Sequence, residues 1–551
     1  MRTTVSLLPD NEAAFTPLTF GDPPPGDMGL NATDFAIIAA YLIGVTLFGI
    51  HFRKKQSSLR DYFLADRDIP WWAISLSIVA AETSTLTIIS IPGVAYRGDL
   101  TFLQLVLGYM VGRVVISFVL LPHYFRGELY TAYELMERRF GGRLRSLTAS
   151  LFLITRAAAE GVRVFAVAIV VRIALAGLLG GLSGLHRDMI AIGVVTALTL
   201  IYTFEGGMRA VIWTDVVQMF IYIGGTLVGF LTLLHLVPGG WTTVAGMAEA
   251  GHKFRVFDFD PNFFKVYTFW AGIIGGAFLT TASHGTDQLI VQRLLAARNE
   301  RESRLALMAS GIAVFVQFSF FLMVGILLYA FYNSGPSHPQ FSSFDEIFPT
   351  FVVQHMPHGI SGLLIAAILA AAMSNLSAAL NSLSSSSIVD FYLRFNPQAG
   401  ERQRMRVSRL STLVWAVVLF ALAMGSRDIK VVVEVGLSIA SVAYGALLGV
   451  FLLGVLTRST TERAAMAGMF CGFAFNLYLW QEQNLWRGIS HLTGVSLALP
   501  HPVPFTWYVA LGSAVTFLTG VMATRLSGLL FRPKIAREKN IVQTKAGETQ
   551  Q

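Results

Sequence analysis

Apolar runs of roughly 20 residues recur from Phe35 to Leu530, and each is long enough to cross a hydrocarbon core of about 30 Å at ~1.5 Å of helical rise per residue. A water-soluble fold could not hide that much apolar surface. Only 13% of the residues are charged and 54% are apolar, where a soluble domain carries about 25% charged residues. The bilayer is therefore the solvent. Strands of a membrane barrel would be about ten residues long and alternate apolar with polar, whereas these runs are continuous, so the expected fold class is all-α, a polytopic membrane protein.

The expected spans are 34–51, 70–96, 101–121, 147–177, 188–203, 209–236, 266–292, 304–332, 359–391, 407–425, 431–456, 463–479 and 504–530, about thirteen transmembrane helices in all. Basic residues gather on alternate connections: His51 to Lys55, Arg138 to Arg145, Arg293 to Arg304, Arg394 to Arg409, and Arg532 to Lys539. Segments 1–32 and 333–349 carry acids and little Lys or Arg. The positive-inside rule then puts the N-terminus outside and the C-terminus in the cytoplasm of a cell (inner) membrane. An odd helix count satisfies both ends. The net charge of +8 calls for no nucleic acid as partner, because the basic residues face anionic membrane lipid.

This reading divides the chain into an external N-terminal segment 1–32, a first helix and cytoplasmic loop 33–68, a first five-helix repeat 69–236, an external loop 237–265, a second five-helix repeat 266–456, two flanking helices 457–531 and a cytoplasmic tail 532–551. Segment 1–32 holds Pro23, Pro24 and Pro25 but no continuous apolar core, so no cleavable signal peptide is expected. The last dozen residues, Thr544 to Gln551 among them, are polar and without periodicity and are expected to be disordered. The external segments 237–263 and 481–503 have the aromatic content of short lids over an entrance. Cys471 is the only cysteine, which excludes an intrachain disulfide and a cysteine metal cluster.

Polar and ionisable residues are costly at membrane depth, so their positions carry the functional information. In the second span Glu82, Thr83, Ser84, Thr85 and Thr87 precede Pro92-Gly93. That pattern describes either a helix unwound near its middle, with carbonyls free to hold a hard monovalent cation, or a proline kink whose hydroxyls bond the preceding turn. A polar stripe of Ser374, Ser377 and Asn381 recurs at helical spacing on the span from Ala367 to Asp390, and it faces protein or water, or serves close helix packing. Asp215 either ligates an ion, relays a proton, or caps a helix N-terminus. Between Gly272 and Gln292, Gly275, Gly276, Thr280, Thr281, Ser283, His284, Thr286 and Asp287 interrupt an apolar run. Two interrupted helices at corresponding places in two halves point to a transporter's midplane site. In the fourth span Arg156 and Arg163 flank Glu160; either the three form a structural network, or one arginine keeps spare donors for a substrate carboxylate.

The same residues resemble the sodium:solute symporter family of sodium–sugar, sodium–iodide, sodium–proline and sodium–sialate carriers. The resemblance rests on Asp61 to Ala65 with Ala80 to Ser84, Glu205 to Asp215, Gly285 to Arg293, Ala371 to Ser382, and Ala443 to Phe451, in family order from about residue 60 to 460. It implies a leucine-transporter-like fold of two inverted five-helix repeats and secondary active symport of a small organic solute with sodium by alternating access, with no other cofactor. Sodium is then expected at the carbonyls of Ala80, Thr83 and Ala371 and at the side chains of Ser374 and Asn375, where the family's second hydroxyl is here an amide. A second sodium, or a proton, is expected at Asp215 and Ser377, although a serine of that family site is here Ala378. Substrate is expected among Thr87, Arg163, Thr280, Ser283, His284 and Tyr444. The side chains of sugar-transporting members do not recur at Thr87, Thr280 and Ser283, and Arg163 matches the arginine of sialate-type members, so the resemblance implies a small organic anion.

A proton-coupled symporter of the same fold would titrate Asp215, Glu82 or His284 instead. A solute-binding membrane sensor would need an output domain, and the expected tail has about twenty residues. A membrane metalloenzyme would need paired ligands, which the eleven histidines do not offer in any motif spacing.

Overall fold

A computed structural model describes residues 30–51, 58–83, 85–127, 129–174, 181–334, 341, 344–426, 432–493 and 501–530. The expected N-terminal segment as far as residue 29, Lys54 and Lys55 of the first basic loop, Ser84 of the hydroxyl cluster, and the tail from residue 531 lie outside the described residues. Within lipid each backbone polar group must be satisfied inside its own segment, and helices do this without help. The described residues are accordingly helical, with one isolated bridge pairing Ile69 and Ala297.

The main helices are α1 (Ala32–Ile50), α2 (Trp71–Glu82), α3 (Thr85–Arg97), α4 (Leu103–Tyr124), α5 (Gly142–Ala174), α6 (Gly184–Leu236), α7 (Gly276–Gly285), α8 (Gln288–Leu295), α9 (Glu300–Ser334), α10 (Ile360–Ser386), α11 (Glu401–Gly425), α12 (Val432–Leu456), α13 (Glu462–Thr493) and α14 (Phe505–Leu530). Every expected span falls on one of them. Among the described residues eight helices are long and apolar enough to cross a membrane, or nine if α2 and α3, which meet at a 61° bend, form one broken span. The other expected spans lie on α1, α5, α7 with α8, and α13, which are shorter or more polar, so this measure gives fewer crossings than thirteen.

The breaks have local causes. Thr83 leaves the helical region at φ −81°, ψ 92° and ends α2, and Pro92 lies inside α3. The expected separation of 188–203 from 209–236 occurs at Gly207, whose φ of 55° with ψ of −155° only glycine adopts without strain. Asp287 starts α8 as its N-cap, its Oδ1 accepting from the Leu289 amide at 2.8 Å. α13 continues to Thr493, so residues 481–493 extend a helix and do not form a separate lid. Segment 237–263, the other expected lid, contains a short helix, Gly240–Ala250.

Packing sets these pieces around α10, which is buried along nearly all its length. It lies against α6, α5, α1 and α2. Its N-terminus is capped by another helix: Asp34 of α1 accepts from the amides of Gly359 at 2.6 Å and Gly362 at 2.9 Å. α4 and α7 approach backbone to backbone because a side chain on Gly108 or Gly276 would collide with the facing main chain. The two broken pairs, α2 with α3 and α7 with α8, are thereby held beside the same interior space.

Candidate functional site

All six residues expected to meet substrate line one cavity of about 160 Å³: Thr87 from α3, Arg163 from α5, Thr280, Ser283 and His284 from α7, and Tyr444 from α12. Glu82, Tyr109, Arg156 and Phe318 share the same wall. The helix breaks explain the convergence, because each lets a polar stretch of chain turn toward the interior and keeps the apolar remainder on packed helices.

Ionic side chains fix one side of this cavity. Glu160 Oε2 accepts from Arg156 Nη2 at 2.9 Å and from Arg163 Nη1 at 3.3 Å. Arg156 also faces Asp287 at 3.6 Å, and Tyr444 donates to Asp287 at 2.7 Å, so the cap of α8 is tied to α5 and α12. Arg156 is thus held between two carboxylates, with only its buried Nε left without a partner among the described residues. Arg163 differs: its side chain is 20% exposed, and its Nε and Nη2 have no hydrogen-bond partner among the described residues. The sequence left open whether one arginine stays available, and the more exposed arginine with two unpaired nitrogens is Arg163.

A second ionic group meets the cavity where α2 ends. Glu82 Oε2 pairs with Arg113 of α4 and lies 3.3 Å from His284 Nε2. Sequence reasoning passed over Arg113, although a guanidinium inside the apolar run 101–121 was signal enough. It is wholly buried.

Two of the residues expected at sodium, Thr83 and Asn375, are in contact. Ala80 and Ala371 are buried, and Asn375 donates from its amide to the Thr83 carbonyl at 3.2 Å. The Thr83 hydroxyl donates to Gln317 Oε1 of α9 at 2.9 Å. Asn375 Oδ1 is buried with no hydrogen-bond partner among the described residues. Thr83, Ser374 and Asn375 thus offer neutral oxygens, the hard donors a monovalent cation takes. Ser374 donates to Asp215 Oδ1 at 2.7 Å.

Asp215 is no helix cap. It lies inside α6 beyond Gly207, fully buried, and its Oδ2 accepts from Arg293 Nη2 of α8 at 2.8 Å and from Ser77 of α2 at 2.5 Å. Ser377 donates to the Ser374 carbonyl at 2.9 Å and makes no hydrogen bond to Asp215. Asp215 thus has a cation of its own in Arg293.

A solved structure of a Na+-coupled sialic acid symporter, substrate-bound and outward-open, superposes on 90% of this chain and 98% of its own with a TM-score of 0.77 at 26% identity. The shared architecture is the leucine-transporter-like pair of five-helix repeats. By sequence, the sodium/sialic acid symporter SiaT of Proteus mirabilis is 29% identical over 443 residues, 79% of this chain and 87% of that protein. Human sodium-coupled monocarboxylate transporter 2 is 26% identical over 518 residues, 91% of this chain and 79% of that one. The model of the sodium:solute symporter family matches residues 62–472, most of the length and both broken helix pairs, and the chain therefore belongs to the sodium:solute symporter family, as an integral membrane carrier and not an enzyme.

Proposed function

We propose that this carrier moves a small organic anion together with sodium, holding the substrate carboxylate on Arg163 and the ion among Ala80, Thr83, Ala371, Ser374 and Asn375. The observation that carries the reading is Arg163, which turns two unused donors into the cavity shared by Thr87, Thr280, Ser283, His284 and Tyr444. A planar guanidinium with two free N–H groups matches a carboxylate by paired hydrogen bonds. The substrates in the relatives' names, sialic acid and monocarboxylates, are acids, which agrees with that chemistry.

Sodium in the cage would link α2 to α10, the broken helix to the buried one, and so favour the arrangement in which both are apposed. Binding of ion and solute is then coupled by a shared state, and each raises the affinity for the other by the same factor. The Asp215 carboxylate already faces Arg293, so a second ion or a relayed proton at Asp215 and Ser377 would have to displace that guanidinium, and coupling is assigned to the single cage. His284 beside Glu82 favours a proton-coupled cycle as the second reading.

The basic connections support an external N-terminus and a cytoplasmic C-terminus in the cell membrane, with the repeats at 69–236 and 266–456. Reporter fusions at each end test the orientation.

The central test is thermal stabilisation of the purified protein by sodium, with potassium and choline at equal ionic strength as controls. Sodium is expected to raise the melting temperature of wild type and not of Ser374→Ala, and organic anions are then expected to add to it in saturating sodium. A wild type indifferent to sodium but stabilised as pH changes would move coupling to Glu82 and His284.

A further inference from the structure

We infer that the solute is a carboxylate that also carries a hydrogen-bond donor, a hydroxyl or an ammonium group, and that Glu82 reads this donor. The inference rests on the carboxylate reading of Arg163 and goes beyond it to the rest of the molecule carried.

Glu82 is the last helical residue of α2, its side chain is 12% exposed, and it lines the cavity. Both of its contacts, to Arg113 and to His284, are made by Oε2. Oε1 has no hydrogen-bond partner among the described residues. An ionised carboxylate is an acceptor only, with about four lone-pair sites, so the group turned toward the cavity can receive a donor and cannot bind an anion.

Its neighbours do not change that sign. Arg113 spends Nε on Ser310 at 3.3 Å and Nη1 on the Tyr109 carbonyl at 3.3 Å, and its Nη2 on Glu82. Being wholly buried, it holds Glu82 in place without presenting itself to a solute. His284 is engaged at Nδ1 with the Ser283 hydroxyl at 2.9 Å and at Nε2 with Glu82. One cavity thus offers spare donors at Arg163 and a spare acceptor at Glu82. A plain aliphatic acid would satisfy the first and leave the second desolvated and unpaired, a loss of affinity that is larger for a charged group than for a neutral one. A hydroxy or amino acid satisfies both. Sites built to pair a polar substituent reject the analogue that lacks it far more strongly than apolar pockets reject a missing methylene.

The test uses the full-length protein in saturating sodium and matched acids: propanoate, lactate and alanine on a short skeleton, and hexanoate against gluconate on a longer one. Melting temperature against concentration gives the affinity of each. At least one donor-bearing acid is expected to bind about tenfold or more tighter than its plain parent, and Glu82→Gln is expected to shrink that preference several-fold, weakening the donor-bearing acids and relieving the plain ones of an unpaired charge. The alanine and lactate arms separate an ammonium from a hydroxyl, because losing the charge of Glu82 weakens the first more. Stabilisation by sodium alone reports that the variant is folded. If it is not, E82Q/R113M, which removes both ends of the ion pair, takes its place.

Plain and donor-bearing acids that bind alike in wild type, or a preference that survives in the folded variant, overturn the role of Glu82 and leave Arg163 standing. Failure of every acid to bind while sodium still stabilises overturns the carboxylate reading, and this inference with it.

Discussion

The Asn375 amide donates to the Thr83 carbonyl at 3.2 Å across the break that follows α2, while its own Oδ1 is buried without a partner. A hydroxyl at this position could coordinate an ion without occupying the carbonyl. The amide occupies it, so ion entry must break one hydrogen bond and turn Oδ1 inward. A typical net hydrogen bond is worth about 0.5–1.5 kcal/mol, equivalent to roughly two- to tenfold in affinity. Asn375→Ser is therefore expected to lower the sodium concentration for half-maximal thermal stabilisation by that factor. An unchanged or higher midpoint would take Asn375 out of the cage.

Arg163 and Arg156 share one carboxylate, but Arg156 also faces Asp287 and keeps a single buried Nε unpartnered, whereas Arg163 is 20% exposed and lacks a partner among the described residues at both Nε and Nη2. Arg163→Met is expected to weaken organic-anion binding in saturating sodium by about 10–100-fold, with Arg163→Lys intermediate because an ammonium cannot make the paired contact. The sodium response should persist in both. Arg156→Met removes a buried partner of Glu160 and Asp287, so its effect is expected in melting temperature first. Equal loss of anion affinity in the two variants, without loss of stability, would refute the distinction between them.

The broken helices were legible because their causes are local: hydroxyls, Pro92, and glycines within an apolar run leave a mark that neighbours in sequence share. The six cavity residues were legible through the family pattern, four of them on the broken helices and Arg163 and Tyr444 on α5 and α12. Pairings across helices were not. Glu82 meets Arg113 across 31 residues and Asp215 meets Arg293 across 78, and no periodicity connects such positions, so Arg113 and Gln317 went unnoticed and Asp215 kept three readings. The count of spans was hard for a related reason. A span buried among other helices tolerates charge, as α5 does with Arg156, Glu160 and Arg163, and hydropathy alone cannot distinguish it from a surface helix.

The connection between α6 and α7 is tied down by Asp258 and Lys265, 2.5 Å apart. The hydrogen bond from Lys265 holds the Asp258 carboxyl below its usual range against a smaller opposing effect of burial, and the same contact holds the Lys265 ammonium above its ordinary value. Asp258 therefore contributes stability above about pH 4, lost as pH falls through its lowered value, and Lys265 contributes below about pH 10, lost as pH rises through its raised one. Lys265 is 40% exposed, so screening keeps the pair near 0–1 kcal/mol, about a surface value. Amide-exchange protection at Phe269, which donates to the Asp258 carbonyl at 2.7 Å, is expected to be flat between about pH 5 and 9 and to fall in acid and again in strong base. A fall near neutral pH would mean that another group holds the loop.

Asp215 and Arg293 sit 2.8 Å apart with side chains 0% and 1% exposed, and Ser77 joins them by accepting from Arg293 Nε at 2.8 Å while donating to Asp215. Removing one member of such a pair strands the other charge in a low-dielectric interior, at a cost of about 3–5 kcal/mol, whereas removing both is far milder. Asp215→Asn and Arg293→Met are each expected to lower the melting temperature by many degrees, and the double variant to recover most of the loss, a coupling that a double-mutant cycle reads directly. The sodium response is expected to survive in the double variant, because Ser374 keeps its oxygen when its acceptor on Asp215 becomes an amide. A carboxylate that bound the coupling ion would behave in the opposite way: Asp215→Asn would melt near wild type without sodium and lose the sodium response. The two patterns share no outcome, so one melting series with and without sodium decides whether this acid is held by an arginine or by the transported ion.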